Sequence, residues 1–136
     1  MVTYVFDTSA LLRYLDDEPG AGRVAQLIED HLDGKCKIAI SAVHWGEVAG
    51  KLFQRKGQQH FRVIFAELES IGFDIVAATA GRAVNSGLIK AGIKIPYADA
   101  FGVDLASDSP EHVLVTADFD VKPAAQDVKI EFLPRK

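Results

Sequence analysis

Val2-Thr3-Tyr4-Val5-Phe6-Asp7-Thr8-Ser9-Ala10-Leu11-Leu12 opens the chain with an apolar, β-branched and aromatic run that stops at an acid. Residues 2–6 have the composition of a buried strand. Ser9 is placed as the cap of a short helix over residues 10–15, which the turn at 16–20 ends. The same unit, a short apolar run followed by a helical pattern, recurs to the end of the chain. Residues 37–40, 73–76, 113–116 and 128–132 are the further strands. Val24, Ala25, Leu27, Ile28 and Leu32 predict a helix over 21–32, stopped by Gly34. Trp45, Val48, Ala49, Leu52 and Phe53 form an i, i+3, i+4, i+7, i+8 stripe, Gly57 breaks it, and Phe61, Ile64, Phe65 and Leu68 mark another helix. Thr79 caps a helix over about 80–91, and Pro96 opens one that runs to about 106.

Short strands alternating with helices predict an α/β three-layer sandwich, with a parallel sheet of about five strands covered on both faces. The strands read as continuous apolar runs, as strands buried on both faces do. In such sheets ligands bind beyond the carboxyl ends of the strands. The chemistry is therefore to be sought there.

The 136 residues and 14.8 kDa match one domain, 1–136, with 49% apolar and 25% charged residues. One cysteine, Cys36, excludes an internal disulfide, and four scattered histidines without ligand spacing exclude a zinc finger. No apolar run reaches the roughly 18 residues of a membrane span, and an acid at position 7 is unlike a signal peptide. A cytoplasmic protein without a membrane partner is the expectation. The net charge of −4 is uneven: residues 1–47 carry 4 basic and 8 acidic side chains, 48–98 carry 7 and 3, and 99–136 carry 4 and 8. A basic middle between acidic ends suits an acidic site beside a wall that holds a polyanion.

Four acids fall at the strand junctions. Asp7 follows the first strand and Asp118 the fourth, Glu47 lies early in the helix after the second strand, and Asp99 is in the first turn of the Pro96 helix. Each alone has an ordinary explanation as a cap or first-turn acid. Glu47 falls nearly opposite the Trp45–Phe53 stripe, which suits a solvated acid and an acid facing a cleft equally. Asp99 lies at the edge of the stripe of Ala98, Phe101, Gly102, Leu105 and Ala106, so partial burial is expected. Carboxylates converging at one sheet edge need a cation to stay ionised, and oxygen ligands favour Mg²⁺ or Mn²⁺. Such a site suits metal-assisted phosphodiester hydrolysis.

The blocks Val5-Phe6-Asp7-Thr8-Ser9-Ala10-Leu11-Leu12, Ile40-Ser41 through Gly46-Glu47-Val48, Ile95-Pro96 with Asp99-Ala100, and Leu114-Val115-Thr116-Ala117-Asp118 stand in order over nearly the whole length. In this the chain resembles a PIN domain of the small VapC-like type, the toxin of type II toxin–antitoxin systems. The resemblance implies Asp7, Glu47, Asp99 and Asp118 as an acidic quartet, with Asp7, Asp99 and Asp118 holding Mg²⁺ or Mn²⁺. It makes Ser9 and Thr116 supporting hydroxyls. The family sometimes carries a further acid at the position of Asp120, whose spacing equally fits a turn. It further implies endoribonuclease activity on RNA, a small VapB-like antitoxin and a homodimer.

Residues 48–66 contain no acid, so Lys51, Arg55, Lys56 and Arg62 are candidate RNA phosphate contacts. His31, His44, His60 and His112 read as surface or helix-end residues, with His44 the one near the cleft. Trp45, Phe53, Phe61 and Phe65 read as core. Two other functions share the pattern: a catalytically inactive RNA- or protein-binding module on the same fold, and a phosphohydrolase or phosphoacceptor domain. The second is disfavoured, because the first strand ends in Asp-Thr-Ser rather than Asp-x-Asp or an acidic pair.

Overall fold

A computed structural model describes residues 1–136. It has five parallel strands, β1 (Thr3–Phe6), β2 (Lys37–Ser41), β3 (Asp74–Val76), β4 (Val113–Thr116) and β5 (Lys129–Phe132), in the spatial order β3-β2-β1-β4-β5. Phe6 pairs with Ile40 on one side and Val115 on the other. The helices are α1 (Thr8–Leu15), α2 (Ala21–Leu32), α3 (Ala42–Ser70), α4 (Ala80–Ile93) and α5 (Tyr97–Ala106).

Alternation of side chains across the pleat sorts the core into two layers. Phe6, Ile38, Ile40 and Val115 pack with Leu11, Val24, Leu27 and Val48 of α1 to α3. Val5 and Leu114 point the other way, onto Ala100, Val103 and Leu105 of α5. The predicted parallel three-layer sandwich is thus observed. Burial on both faces holds for the central strands; the edge strand β3 exposes Asp74 and Ile75, and β5 is only partly covered.

Several local readings shift. Asp7, not Ser9, caps α1: its Oδ1 accepts the Ala10 N–H at 3.0 Å, so the helix begins at Thr8. Thr79 caps α4 by accepting the Arg82 N–H, as expected, but the helix runs on to Ile93 and ends at Lys94 in the left-handed region. Gly57, at φ 76° and ψ 169°, interrupts α3 and divides it into two arms, as predicted. The buried line of the first arm is His44, Val48 and Leu52, one position round from the Trp45–Ala49–Phe53 line, and Phe53 is 50% exposed. Residues 119–126, for which the sequence suggested no element, form a 3-10 helix (Phe119–Gln126) that buries Val121 and Ala124 at the three-residue spacing of that helix. No helix is long and apolar enough to cross a membrane.

The carboxyl end of the chain is tied to this frame. The Leu133 N–H donates to the Thr116 carbonyl, and buried Arg13 donates to the carbonyls of Pro19 and Pro134. Gly20 precedes α2 at φ 95°, and a Cβ there would lie 2.9 Å from the Leu133 Cβ. Gly20→Ala combines left-handed strain with a clash against a core residue. Urea unfolding is expected to show a loss of roughly 1–3 kcal/mol.

Candidate functional site

The connection leaving β1 runs to β2 and that leaving its neighbour β4 runs to β5, so the two diverge and open a crevice at the carboxyl ends of β1 and β4. Asp7 follows β1 at once, and Asp118 stands two residues beyond β4. Ser41 accepts the Val43 N–H and starts α3 at this edge, which brings Glu47 to the second turn. Pro96, fixed in φ, starts α5 and puts Asp99 in its first turn. All four acids line one cavity of about 220 Å³, with Thr8, Ser9, Leu12, His44 and Lys51. A wider hollow of about 600 Å³ beside the start of β5 holds a single acid, Asp127.

Asp7 is 4% exposed, and both of its oxygens accept hydrogen bonds. Its Oδ1 accepts from Ser9 Oγ at 2.7 Å and from the Ala10 N–H, and its Oδ2 accepts from Thr116 Oγ1. The two hydroxyls are themselves oriented. Ser9 Oγ accepts the Ala117 N–H at 2.8 Å and Thr116 Oγ1 accepts the Asp118 N–H at 2.9 Å. Each therefore spends its only proton on Asp7. The backbone entering Asp118 and the carboxylate of Asp7 are held as one unit.

The other acids keep open oxygens. Asp118 Oδ1 accepts the Asp120 N–H at 2.9 Å, and Glu47 Oε1 accepts from Thr8 Oγ1 at 2.6 Å. No further protein N–H or O–H reaches either carboxylate, although Asp118 stands close enough to Asp99 to share a proton with it. Asp99 Oδ2 is buried without a partner. A carboxylate oxygen accepts two hydrogen bonds, so Asp7 Oδ2 also retains a lone pair. Every acid of the quartet thus has acceptor capacity left over.

Their electrostatics are unfavourable as they stand. Burial is the main cause that pushes Asp7 upward, opposed by His44 and by the donors on its carboxylate. Asp99 is pushed up to about 7, first by burial, then by Asp118, with which it can share a proton, and then by the charges of Asp7 and Glu47. An all-oxygen donor set, mutual repulsion and an orphaned buried oxygen fit a hard divalent cation. No three Asp, Glu, His or Cys side chains are spaced to close on one ion as they stand. Mg²⁺ does not require that, since it keeps several waters and takes one or two carboxylates directly.

The remaining candidates divide by position. Asp120 is exposed and lies outside the cavity, contributing its N–H to Asp118. Lys51 is on the cavity rim, one turn after Glu47. Arg55 pairs with Asp16 at the end of α1, whereas Lys56 and Arg62 are exposed without an acidic partner. Asp104, also on α5, is buried and bonded to Arg82 and Asn85 of α4. That cluster fixes the two helices together and contributes nothing to the cavity.

Among the cavity residues, Thr8 had no role in the sequence reading, and His44 was placed near the cleft but not as a buried residue. Thr8 was quoted in the first motif without a role; its place directly after Asp7 was the available signal. His44, read as a surface or helix-end residue, is 1% exposed and neither ring nitrogen has a partner. Its signal was the four-residue spacing to Val48 and Leu52.

A search by sequence against curated proteins found no significant match. Solved structures are similar over nearly the whole chain. VapBC2 from Rickettsia felis, bound to a DNA fragment from its promoter, matches with a TM-score of 0.76 at 16% identity, covering 97% of this chain and 99% of that one. DNA-bound VapBC from Salmonella typhimurium matches at 0.75 and 15%, covering 97% and 98%. A toxin–antitoxin complex from Klebsiella pneumoniae matches at 0.70 and 21%, covering 98% and 99%. These likenesses establish the shared fold. The PIN domain family model matches residues 4–126, a span that contains all four acids and both supporting hydroxyls. The chain belongs to the PIN domain family.

Proposed function

We propose that this chain is a metal-dependent endoribonuclease and the toxin of a VapBC-like toxin–antitoxin pair, working in the cytoplasm as one domain over residues 1–136. The observation that carries the reading is the single cavity in which Asp7, Glu47, Asp99 and Asp118 meet, each with an oxygen able to accept more. Asp7, Asp99 and Asp118 would hold Mg²⁺ or Mn²⁺. The ion would supply a Lewis acid that lowers the pKa of a bound water and stabilises the leaving oxygen.

The chain's own part is positioning. Ser9 and Thr116 lock the Asp7 carboxylate and tie it to Asp118, so the two acids at the strand ends keep their separation. Thr8 orients Glu47 and leaves one of its oxygens open to the cavity. Asp120 acts through its N–H, which orients Asp118. Lys51 at the rim, and the exposed Lys56 and Arg62 further along α3, are proposed as contacts to the RNA phosphates, with Arg55 contributing if it leaves Asp16.

The solved neighbours are toxin–antitoxin complexes, which supports a VapB-like partner here. An apolar groove lined by Tyr14, Leu15, Ile28, Leu32, Ile64 and Leu68, between α1, α2 and the second arm of α3, is its proposed seat. Val84 and Leu88, 65% and 67% exposed one turn apart on α4, are proposed as the homodimer contact. Light scattering at micromolar concentration is expected to give about 30 kDa, twice the 14.8 kDa chain, and Leu88→Glu is expected to return it to about 15 kDa. The same mass for both proteins would remove α4 from the interface.

The deciding test of the activity is cleavage of total cellular RNA by the purified protein. Discrete fragments are expected with millimolar Mn²⁺ or Mg²⁺ and none with EDTA. RNA binding without cleavage in any metal would favour the inactive module.

A further inference from the structure

His44 is the one buried titratable residue of the cavity wall that the acidic quartet does not account for. It occupies the first turn of α3, is 1% exposed, and lines the same cavity as Asp7 and Asp99. Neither Nδ1 nor Nε2 reaches a protein partner. Imidazole carries at least one N–H in every protonation state, and a buried donor without an acceptor is costly. Nearly all buried polar groups in folded proteins are bonded, to protein or to water.

The fold makes room for this ring. Gly102 of α5 faces it: a Cβ there would lie 3.4 Å from His44 Cε1 and 3.1 Å from Leu114 Cδ1. Gly102 is three residues after Asp99 and so on the same side of α5. The buried, unpartnered Asp99 Oδ2 therefore stands one turn from the point where α5 meets the His44 ring. A carboxyl oxygen and a ring N–H, both buried without a protein partner and both on the wall of one polar cavity, are complementary to a molecule that donates and accepts at once. Water is that molecule, whether alone or in the shell of a hydrated cation.

We propose that His44 is a positioning residue of the acidic site, holding through a hydrogen bond the water that Asp99 also binds, in the hydration shell of the divalent cation. The assignment rests on the metal-site reading of the quartet and extends it to a nitrogen-bearing residue outside it. His44 makes no bond to phosphorus and carries no covalent step; it fixes the water's orientation, and the proton lost on attack goes to the carboxylates or to solvent.

A spectroscopic test uses the wild-type chain. Protein labelled with ¹⁵N-histidine is titrated with Mg²⁺ at constant pH and the ring nitrogens are followed by NMR. His44 is expected to shift saturably, while His31, His60 and His112 stay fixed. A His44 that is silent while Mg²⁺ raises the melting temperature of the same protein, or while Mg²⁺ fails to bind at all, overturns the proposal. If Mg²⁺ moves His44 but RNA is not cut, the nuclease reading fails and the His44 assignment stands.

Variants add a second readout. His44→Leu replaces orphaned nitrogens by an apolar group of similar size, so the metal-free melting temperature is expected to hold or rise. Its kcat for RNA is expected to fall about 10–100-fold with KM within about threefold. His44→Gln, which restores a donor and an acceptor, is expected to recover most of that loss. A purely structural histidine predicts the reverse: lower stability for both variants, and a kcat that follows the folded fraction.

Discussion

Asp7→Asn is expected to reduce Mn²⁺-dependent RNA cleavage at least a hundredfold in a protein that still folds. Asp7 Oδ1 already accepts two hydrogen bonds and Oδ2 one, so a single lone pair of Oδ2 is left for a cation. Asparagine keeps one acceptor oxygen and puts an NH₂ in place of the other. With the amide oxygen serving Ser9 and Ala10, the NH₂ faces the Thr116 hydroxyl and the cavity, where a cation would stand. The variant loses the charge and the lone pair together. Metal ions contribute several kcal/mol of charge stabilisation in such reactions, and each ~1.4 kcal/mol is tenfold in rate. The stranded Thr116 hydroxyl costs about 1 kcal/mol of stability, too little to unfold a domain of this size. Circular dichroism should remain that of the wild type, and Asp74→Asn, on the exposed edge strand β3, should cut RNA at the wild-type rate. Full activity in Asp7→Asn would remove Asp7 from the metal site.

The second large effect is in stability and changes with pH. Asp99 is held near 7 in the folded chain, chiefly by burial, against about 3.8 when unfolded. Between these values the folded state keeps a proton that the unfolded chain has released. Stability contributed by this group is therefore greatest below about pH 4 and declines until the pH passes about 7. Asp99→Asn does not titrate, so without metal it should match the wild type at pH 4 and exceed it at pH 8. The group is only half-buried, and water screens part of the repulsion, so about 1–2 kcal/mol is expected rather than the full shift. That corresponds to roughly 4–8 °C in Tm. Saturating Mn²⁺ at pH 8 should reverse the order, because it stabilises the folded wild type by mass action and the variant far less. Asp7 is a poorer choice for this test, since its three donors would be disturbed as well. Equal melting of both proteins at every pH would mean that Asp99 carries no strained charge.

What could be read in the sequence was what depends on local order. An apolar run ending in an acid places that acid at a strand end whatever the tertiary contacts, and Asp7 and Asp118 are there. Pro96 and the helical spacing after it put Asp99 at a partly buried position of α5. The stripe on α3 was legible only to within one residue. Trp45 and Phe53 are the larger apolar residues, but the line facing the sheet runs through His44, Val48 and Leu52, and a histidine is not counted as apolar. Glu47 is consequently about 100° from the true buried line rather than opposite it, which turns it toward the cavity. The 3-10 helix after Asp118 was hidden by Pro123 and by a period of three. The pairs Thr8–Glu47, Thr116–Asp7 and Arg82–Asp104 join residues far apart in sequence, and no local pattern announces them.

The four acids at the carboxyl edge of the sheet are proposed to form a divalent-cation site. Crystals grown at pH 8 and soaked in millimolar Mn²⁺, measured for anomalous scattering, test it most directly. A peak is expected inside the cavity, about 2.1 Å from carboxylate oxygens of one or two of Asp7, Asp99 and Asp118 and bridged to the others by water. An empty cavity at that concentration, or Mn²⁺ bound only elsewhere on the chain, would contradict it.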